Sequence, residues 1–243
     1  MGRDQISAIS DIGSVAAIVP AAGAGKRFGG RTQKALIQLN GRPLLIHALT
    51  ALQRTPAIRW ILVVVRKGDE ARAQALLRRH AITKALPVCV GGSSRAESVA
   101  RGFAQLPRTA RWILVHDAAR PCVSRRLIER AVRAAARDGA VACGLPAALT
   151  VKAVDEHQRV RLTLDRAQLW FLQTPQVFRR DWFASALAQA DHALVQFPDD
   201  ASIVEAAGFP VRMIPGDPWN IKVTTKDDLF LAKAILEQRQ GAH

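Results

Sequence analysis

The sequence predicts an α/β fold, a mostly parallel sheet covered by helices on both faces. Three observations predict it. Short apolar, β-branched runs alternate with stretches whose apolar residues recur at helical spacing. The first such run, Val15–Val19, opens into the small residues Pro20-Ala21-Ala22-Gly23-Ala24-Gly25, a strand-to-loop transition suited to holding phosphates. The chain of 243 residues is 49% hydrophobic, enough to bury one sizeable core. Ligands on such sheets bind at the carboxyl ends of the strands. Residues that carry chemistry are therefore expected just after strands.

Taken in order, residues 1–14 read as a loose tail without the apolar segment of a signal peptide, and residues 15–240 as one domain. Pro43 is placed for the first turn of a helix through Leu44–Arg54. Trp60–Val65 reads as a strand, Asp69–His80 as a helix and Leu86–Val90 as a short strand. Ser93 or Ser94 caps a helix running to Leu106, with Glu97 at the capping-box position. Trp112–Val115 is a strand, Ser124 caps an Arg/Ala-rich helix to Asp138, and Val141–Leu145 is a strand. Residues 150–164 break the rhythm. Val151 and Ala153, then Val160, Leu162 and Leu164, alternate with polar residues on either side of Asp155-Glu156-His157-Gln158. That pattern is a two-stranded arm, and a lone hairpin needs a surface to rest on: a second subunit or its own domain. Asp181–Asp191 and Ala201–Ala207 then read as helices and Val211–Ile214 as a strand. Thr225 with Asp228 starts a last helix through Glu237.

Composition narrows the function. The net charge of +15 points to a polyanionic small substrate or to nucleic acid. The positive charge is spread over many arginines, there is no tyrosine, and no dense basic tail exists, so nucleic acid is disfavoured. No apolar run approaches the length that spans a bilayer. Cys89, Cys122 and Cys143 form no CxxC pair and suit a reducing cytoplasm without a zinc site.

The loop after Val19 is not a familiar phosphate motif. A P-loop needs Gly, four residues, then Gly-Lys-Ser/Thr; here Pro20 stands at the first position and Arg27 follows Gly25-Lys26. The dinucleotide fingerprint needs a third glycine, where Phe28 stands. What remains is a different phosphate loop, followed by Lys26, Arg27, Arg31 and Lys34. Three further stretches stand out. Val115-His116-Asp117-Ala118-Ala119-Arg120-Pro121-Cys122 places Asp117 after a strand, where one carboxylate suits magnesium, which takes its other ligands from phosphates and water. Arg120 either touches the same phosphates or pairs with Asp117. Gly91-Gly92-Ser93-Ser94-Arg95-Ala96-Glu97-Ser98 offers bare backbone and hydroxyls for the edge of a base. Trp219-Asn220-Ile221-Lys222-Val223-Thr224-Thr225 puts Lys222 near the end of the sheet.

With these stretches in this order, from about Val15 to Lys233, the chain resembles the 2-C-methyl-D-erythritol 4-phosphate cytidylyltransferases. The resemblance is carried by VPAAGAGKRF, Lys34 followed by NGRPLL, GGSSRAESV, VHDAARPC, LDR, QTPQ, DDAS and NIKVTT. It implies a Rossmann-like sheet of the nucleotide-diphospho-sugar transferase type, with a protruding β-arm that makes a homodimer. It implies transfer of a cytidylyl group: an oxygen of the phosphorylated polyol attacks the α-phosphorus of CTP in line and pyrophosphate leaves. Arg27 and Lys34 would stabilise the charge that develops there. Ala21, Ala22, Gly23, Gly25, Gly92, Ser93, Ser98 and Ala118 would hold CTP, and Asp117 would bind magnesium or another divalent cation. Thr174 and Lys222 would contact methylerythritol phosphate, with Thr150 and Arg166 reaching it from the neighbouring subunit. A related enzyme for ribitol 5-phosphate, or a non-catalytic nucleotide- or RNA-binding protein, would look alike in part. The chain departs from the family pattern at Leu149 and Pro198, and at Trp219, where some members have an aspartate; Asp217 is the nearest substitute.

Overall fold

Burial along the first strand sets up both faces of the sheet. In the computed structural model, which describes residues 14–23 and 34–241, β1 spans Val15–Pro20. Val15, Ala17 and Val19 point into one apolar cluster, and Ala16 and Ile18 into another. That is the period of two expected of a strand covered on both sides.

A short 3₁₀ turn at Lys34–Leu36 leads to β2 (Gln38–Leu39) and β3 (Arg42–Pro43). These two pair across Asn40-Gly41, both with positive φ (47° and 74°), as an Asn-Gly hairpin turn requires. Then come α1 (Leu44–Gln53), β4 (Ile58–Val65), α2 (Glu70–Arg79), β5 (Cys89–Val90), α3 (Arg95–Ala104), β6 (Trp112–Val115), α4 (Arg125–Asp138) and β7 (Ala140–Pro146). The arm is β8 (Val151–Val154) with β9 (Val160–Leu164); β10 (Trp170–Arg179), α5 (Arg180–Ala190), α6 (Asp200–Ala206), β11 (Arg212–Pro215) and α7 (Asp227–Gly241) complete the described chain.

Seven strands form one sheet in the order β11-β7-β10-β6-β1-β4-β5. Neighbours are parallel except where β10 runs antiparallel to β6 and β7. The expected mostly parallel α/β sheet is thus observed. Leu45, Ile46 and Leu49 of α1, Leu77 of α2 and Ile128, Ala131 and Ala135 of α4 cover one face. Val99 of α3, Phe183 and Ala186 of α5 and Ile203 and Val204 of α6 cover the other. Each fully buried Leu, Ile or Val stabilises by ~1.5–3 kcal/mol. Helices this short hold their shape through that packing rather than through propensity.

Local signals behave as the residues dictate. Ser94 accepts from Glu97 N at 3.0 Å and Ser124 from Leu127 N at 3.2 Å, each capping its helix. Asp228 accepts from Thr225 N at 2.8 Å while its own N–H reaches Thr225 Oγ1 at 3.3 Å, a reciprocal capping box. Pro43 stands just before α1 rather than in its first turn, because its residue pairs with Gln38 in the small hairpin.

β10 was hidden in the sequence by Pro175, since proline cannot donate to a ladder and is normally confined to edges and bulges. The pairing of β10 with β7 skips from Gln173 to Gln176, so Thr174 and Pro175 sit in an irregularity, with a cis peptide between them. Running against β6, β10 brings Gln173 and Thr174 to the carboxyl end of β6. The arm is present as read, Val151 opposite Leu164 and Ala153 opposite Leu162. Its Val154, Val160 and Leu162 are exposed.

Candidate active site

The carboxyl ends of β1, β4, β5 and β6 converge on one edge of the sheet. Ala21 N donates to Val64 O at 2.7 Å and Gly91 N to Val65 O at 2.8 Å, so the loops after β1 and β5 leave the sheet side by side. They touch at Gly91. A Cβ there would lie 2.6 Å from Ser98 Oγ and 3.0 Å from the Ala22 Cβ, so any larger residue would push Ser98 or the facing loop aside. Ser98 Oγ accepts from Gly92 N at 3.1 Å and donates to Ser94 O at 2.8 Å. Glu97 turns back to accept from Ser93 N at 2.6 Å and Ser93 Oγ at 2.7 Å; with Arg101 beside it, these bonds hold its carboxyl down at about 2. The Gly91–Ser94 loop is thus pre-shaped by its own side chains. Ser93 and Ser98 spend a hydroxyl proton on loop geometry and retain acceptor capacity.

Asp117, just past β6, is the electrostatic centre. Arg95 Nε lies 3.1 Å from Oδ1, Lys222 Nζ 2.7 Å from Oδ2 and Arg120 Nε 3.9 Å from Oδ2. Burial opposes the charged form, yet Arg95, Lys222 and Arg120 together hold this carboxyl far below the usual carboxylate range. Asp117 is therefore ionised at every working pH. Arg95 and Lys222 each take one oxygen, and the carboxylate keeps further lone pairs. One such group fits magnesium bound mainly through phosphates and water. Among the described residues, no group of three His, Cys, Asp or Glu side chains forms a cage. Asp217 has partners of its own. Its Oδ2 pairs with Arg239 Nη2 at 2.9 Å and its Oδ1 accepts from Trp219 N at 2.9 Å, while the Arg239 guanidinium lies 5.4 Å from the Trp219 ring centroid.

Behind Asp117 stands a buried polar scaffold. Asp117 N donates to Thr174 Oγ1 at 3.0 Å, and Thr174 Oγ1 meets His116 Nδ1 at 3.0 Å. His116 Nε2 lies 3.2 Å from Arg120 O. A carbonyl only accepts, so Nε2 carries the proton and Nδ1 accepts from Thr174. Burial pushes His116 down to about 4, so it is neutral and structural, in keeping with its place at a strand end. Arg120 is buried; its Nη1 donates to Asn220 O at 2.8 Å and its Nη2 to Leu172 O at 3.2 Å. Asn220 Nδ2 donates to Thr174 O at 2.7 Å, and Val223 N to Ala119 O at 2.8 Å. The HDAARP turn, the QTPQ strand and the NIKVTT segment are one interlocked unit. Of the two roles open to Arg120, it takes the inner one, bracing backbone beside Asp117.

The structure therefore brings together Ala21, Ala22, Gly92, Ser93 and Ser98 on one side, and Asp117, Ala118, Thr174 and Lys222 on the other. Gly23 is exposed. Gly25 and Arg27 lie outside the described residues, as does the side chain of Lys34, whose backbone opens the 3₁₀ turn. Thr150 and Arg166 stand at the base of the arm, both exposed. Arg166 Nη1 donates to Ala148 O at 2.7 Å, and among the described residues neither bonds to the Asp117 cluster. Sequence reasoning gave no role to Arg95, Asp200, Gln173 or Asn220, yet Arg95 Nη1 donates to Asp200 Oδ2 at 2.8 Å, Gln173 exchanges bonds with the Asp217 backbone at 3.0 and 3.2 Å, and Asn220 ties down Thr174. The available signal was a charged or amide residue inside an otherwise small or apolar stretch, as in SSRAE and NIKV.

Residues 15–238 match the family model described as IspD: 2-C-methyl-D-erythritol 4-phosphate cytidylyltransferase. The chain is 38% identical to the 2-C-methyl-D-erythritol 4-phosphate cytidylyltransferase of Desulforamulus reducens over 229 residues, covering 94% of this chain and 98% of that protein. Its fold is similar to the crystal structure of 4-diphosphocytidyl-2C-methyl-D-erythritol synthase from Anaerococcus prevotii, with a TM-score of 0.82, 28% identity and coverage of 95% and 99% of the two chains. It is also similar to that of 2-C-methyl-D-erythritol 4-phosphate cytidylyltransferase from Thermus thermophilus, with a TM-score of 0.74, 33% identity and coverage of 92% and 99%.

Proposed function

The chain belongs to the 2-C-methyl-D-erythritol 4-phosphate cytidylyltransferase family, and on that premise we propose how it works. It joins CTP to 2-C-methyl-D-erythritol 4-phosphate, giving 4-diphosphocytidyl-2-C-methyl-D-erythritol and pyrophosphate. A phosphate oxygen of the polyol substrate forms the new bond to the α-phosphorus of CTP, and the bond to the β-phosphate oxygen breaks in line. Negative charge gathers on the equatorial and leaving oxygens, so fixed cations do most of the work. Arg27 and Lys34 meet that charge. The loop of Ala21, Ala22, Gly23 and Gly25 and the Gly92–Ser98 turn hold the nucleotide through backbone groups and hydroxyls, with Ala118 alongside.

Asp117 would hold a magnesium ion, which supplies charge neutralisation at the triphosphate. Lys222 is the most exposed of the three cations around Asp117, its side chain 40% exposed while the Asp117 side chain is 10% exposed. Held by Asp117 Oδ2, it orients the phosphate of the polyol through its remaining N–H groups, together with Thr174. The observation that carries this reading is the Lys222–Asp117–Arg95 chain of contacts at the carboxyl end of β6. No covalent nucleophile is called for, and the neutral His116 is spent on the scaffold.

The arm supports a homodimer. Val154, Val160, Leu162 and the neighbouring Phe171 are exposed, more apolar surface than an isolated hairpin tolerates. A partner surface there would carry Thr150 and Arg166 to the neighbour's polyol subsite. Leu162→Asp is expected to give a monomer in sedimentation velocity; an unchanged dimer would remove the arm from the interface. Three buried free thiols fit a reducing, cytoplasmic setting. The reaction itself is tested by ³¹P NMR. The expected result is a new pair of coupled diphosphate resonances joining cytidine and polyol. CTP hydrolysed to CMP with the polyol phosphate untouched would overturn it.

A further inference from the structure

Asp200 carries no part in the assignment above, yet with Arg95 it forms the inner half of the same charge chain. Arg95, the first residue of α3, spans two carboxylates: Nε lies 3.1 Å from Asp117 Oδ1 and Nη1 2.8 Å from Asp200 Oδ2. Asp200 is wholly buried. It is not needed to cap its own helix, because the neighbouring Asp199 accepts from Ser202 N at 3.0 Å and does that. Its Oδ2 takes Arg95, and among the described residues its Oδ1 has no hydrogen-bond partner. A buried carboxylate held by one guanidinium is poor value for stability alone, since desolvation offsets the attraction. Geometry gives it another use. Arg95 sits at the end of the Gly91–Ser94 loop, where an unrestrained guanidinium would be drawn to a nucleotide phosphate.

We propose that Asp200 is a positioning residue for the transfer. Through Arg95 it fixes the Asp117 carboxylate, and thereby keeps Oδ2 turned to Lys222 at the polyol-phosphate subsite. The inference rests on the functional reading above and deepens it. Asp200 anchors Arg95 from behind, Arg95 holds Oδ1, and the rotation of the carboxylate follows. Loss of the anchor leaves the nucleotide loop in place, because that loop is held by Ser94, Glu97 and Ser98. The base and ribose contacts of CTP therefore stay, and the larger penalty falls on the second substrate.

The test is steady-state kinetics of the full chain as wild type, Asp200→Asn, Arg95→Lys and the double variant, with thermal unfolding of each. Wild-type pyrophosphate release is measured first; its absence refutes the functional reading and the inference with it. With wild-type turnover in hand, Asp200→Asn is expected to lower kcat/KM for methylerythritol phosphate by about tenfold or more while KM for CTP stays within about threefold. Arg95→Lys gives the same split, because an ammonium cannot bridge two carboxylates as a guanidinium does. It also carries the test should Asp200→Asn fail to fold. The double variant is no more than about threefold worse than the worse single one, since the two act as a unit. Folded single variants with wild-type constants, equal losses for both substrates, or losses that multiply in the double variant would each overturn the inference and leave the functional reading standing.

Discussion

Arg120→Lys separates two readings of the same residue. If Arg120 contacts phosphate, a lysine keeps the charge and the cost appears in CTP affinity. If it braces the backbone, the cost appears in stability. Its Nη1 and Nη2 donate to Asn220 O at 2.8 Å and Leu172 O at 3.2 Å, which lie on different segments. A lysine, with one nitrogen in place of the planar fork, cannot make both bonds in their present geometry. Hydrogen bonds from a charged donor contribute ~1.5–3 kcal/mol each. Losing one, weakening the other and shifting a buried cation away from Asp117 comes to about 3 kcal/mol in all. For a chain of this size, each kcal/mol moves Tm by roughly 2–4 °C. The expected drop is about 6–12 °C, read by circular dichroism or calorimetry without ligand. A Tm within about 2 °C of wild type, together with a raised KM for CTP, would refute the bracing role and place Arg120 on the phosphates.

The remaining predictions follow from other parts of the site. Lys34→Ala and Arg27→Ala should each lower kcat at least about a hundredfold, by analogy with losing an oxyanion donor; normal turnover by a folded variant would remove that role. Gly91→Ala should cost ~1–3 kcal/mol by overpacking, because its Cβ would sit 2.6 Å from Ser98 Oγ, and should raise KM for CTP; an unchanged urea midpoint would show that the loop gives way freely. Burial holds His116 down from 6.5 to about 4, so its contribution to stability is complete above pH 6.5 and is lost as pH falls towards 4. Between pH 7 and pH 5, wild type should lose about 2 kcal/mol more than His116→Gln in urea unfolding, a comparison in which the other titrating groups cancel. Equal losses would contradict a buried neutral imidazole.

Much of the fold was legible because its signals are local. The alternation of apolar runs gave the parallel strands, and Ser94, Ser124 and Thr225 with Asp228 marked helix starts through bonds that span only a few residues. β10 was not legible, because Pro175 contradicts a strand unless a neighbouring irregularity excuses it, and that irregularity is a pairing with β7 some thirty residues away. The β2–β3 hairpin was legible in principle from Asn40-Gly41 but is very short. In the site, Asp117 and Lys222 stood out by type and place. What sequence could not give was the link between them, since Arg95, Asp117, Asp200 and Lys222 meet only after the chain has crossed the sheet. The same holds for Arg120, whose partners Leu172 and Asn220 decide between an inner and an outer role. The Asp217 side chain, the nearest substitute by sequence distance, is held by Arg239 and the Trp219 backbone.

The central claim is that this charge cluster and the two glycine-rich loops serve one transfer, from CTP to methylerythritol phosphate. Pyrophosphate release with CTP and magnesium, offering 2-C-methyl-D-erythritol 4-phosphate and ribitol 5-phosphate in separate reactions, tests it most directly. Release with methylerythritol phosphate alone is the predicted result. Release with ribitol phosphate in its place, or with neither from protein that still binds CTP, would contradict it.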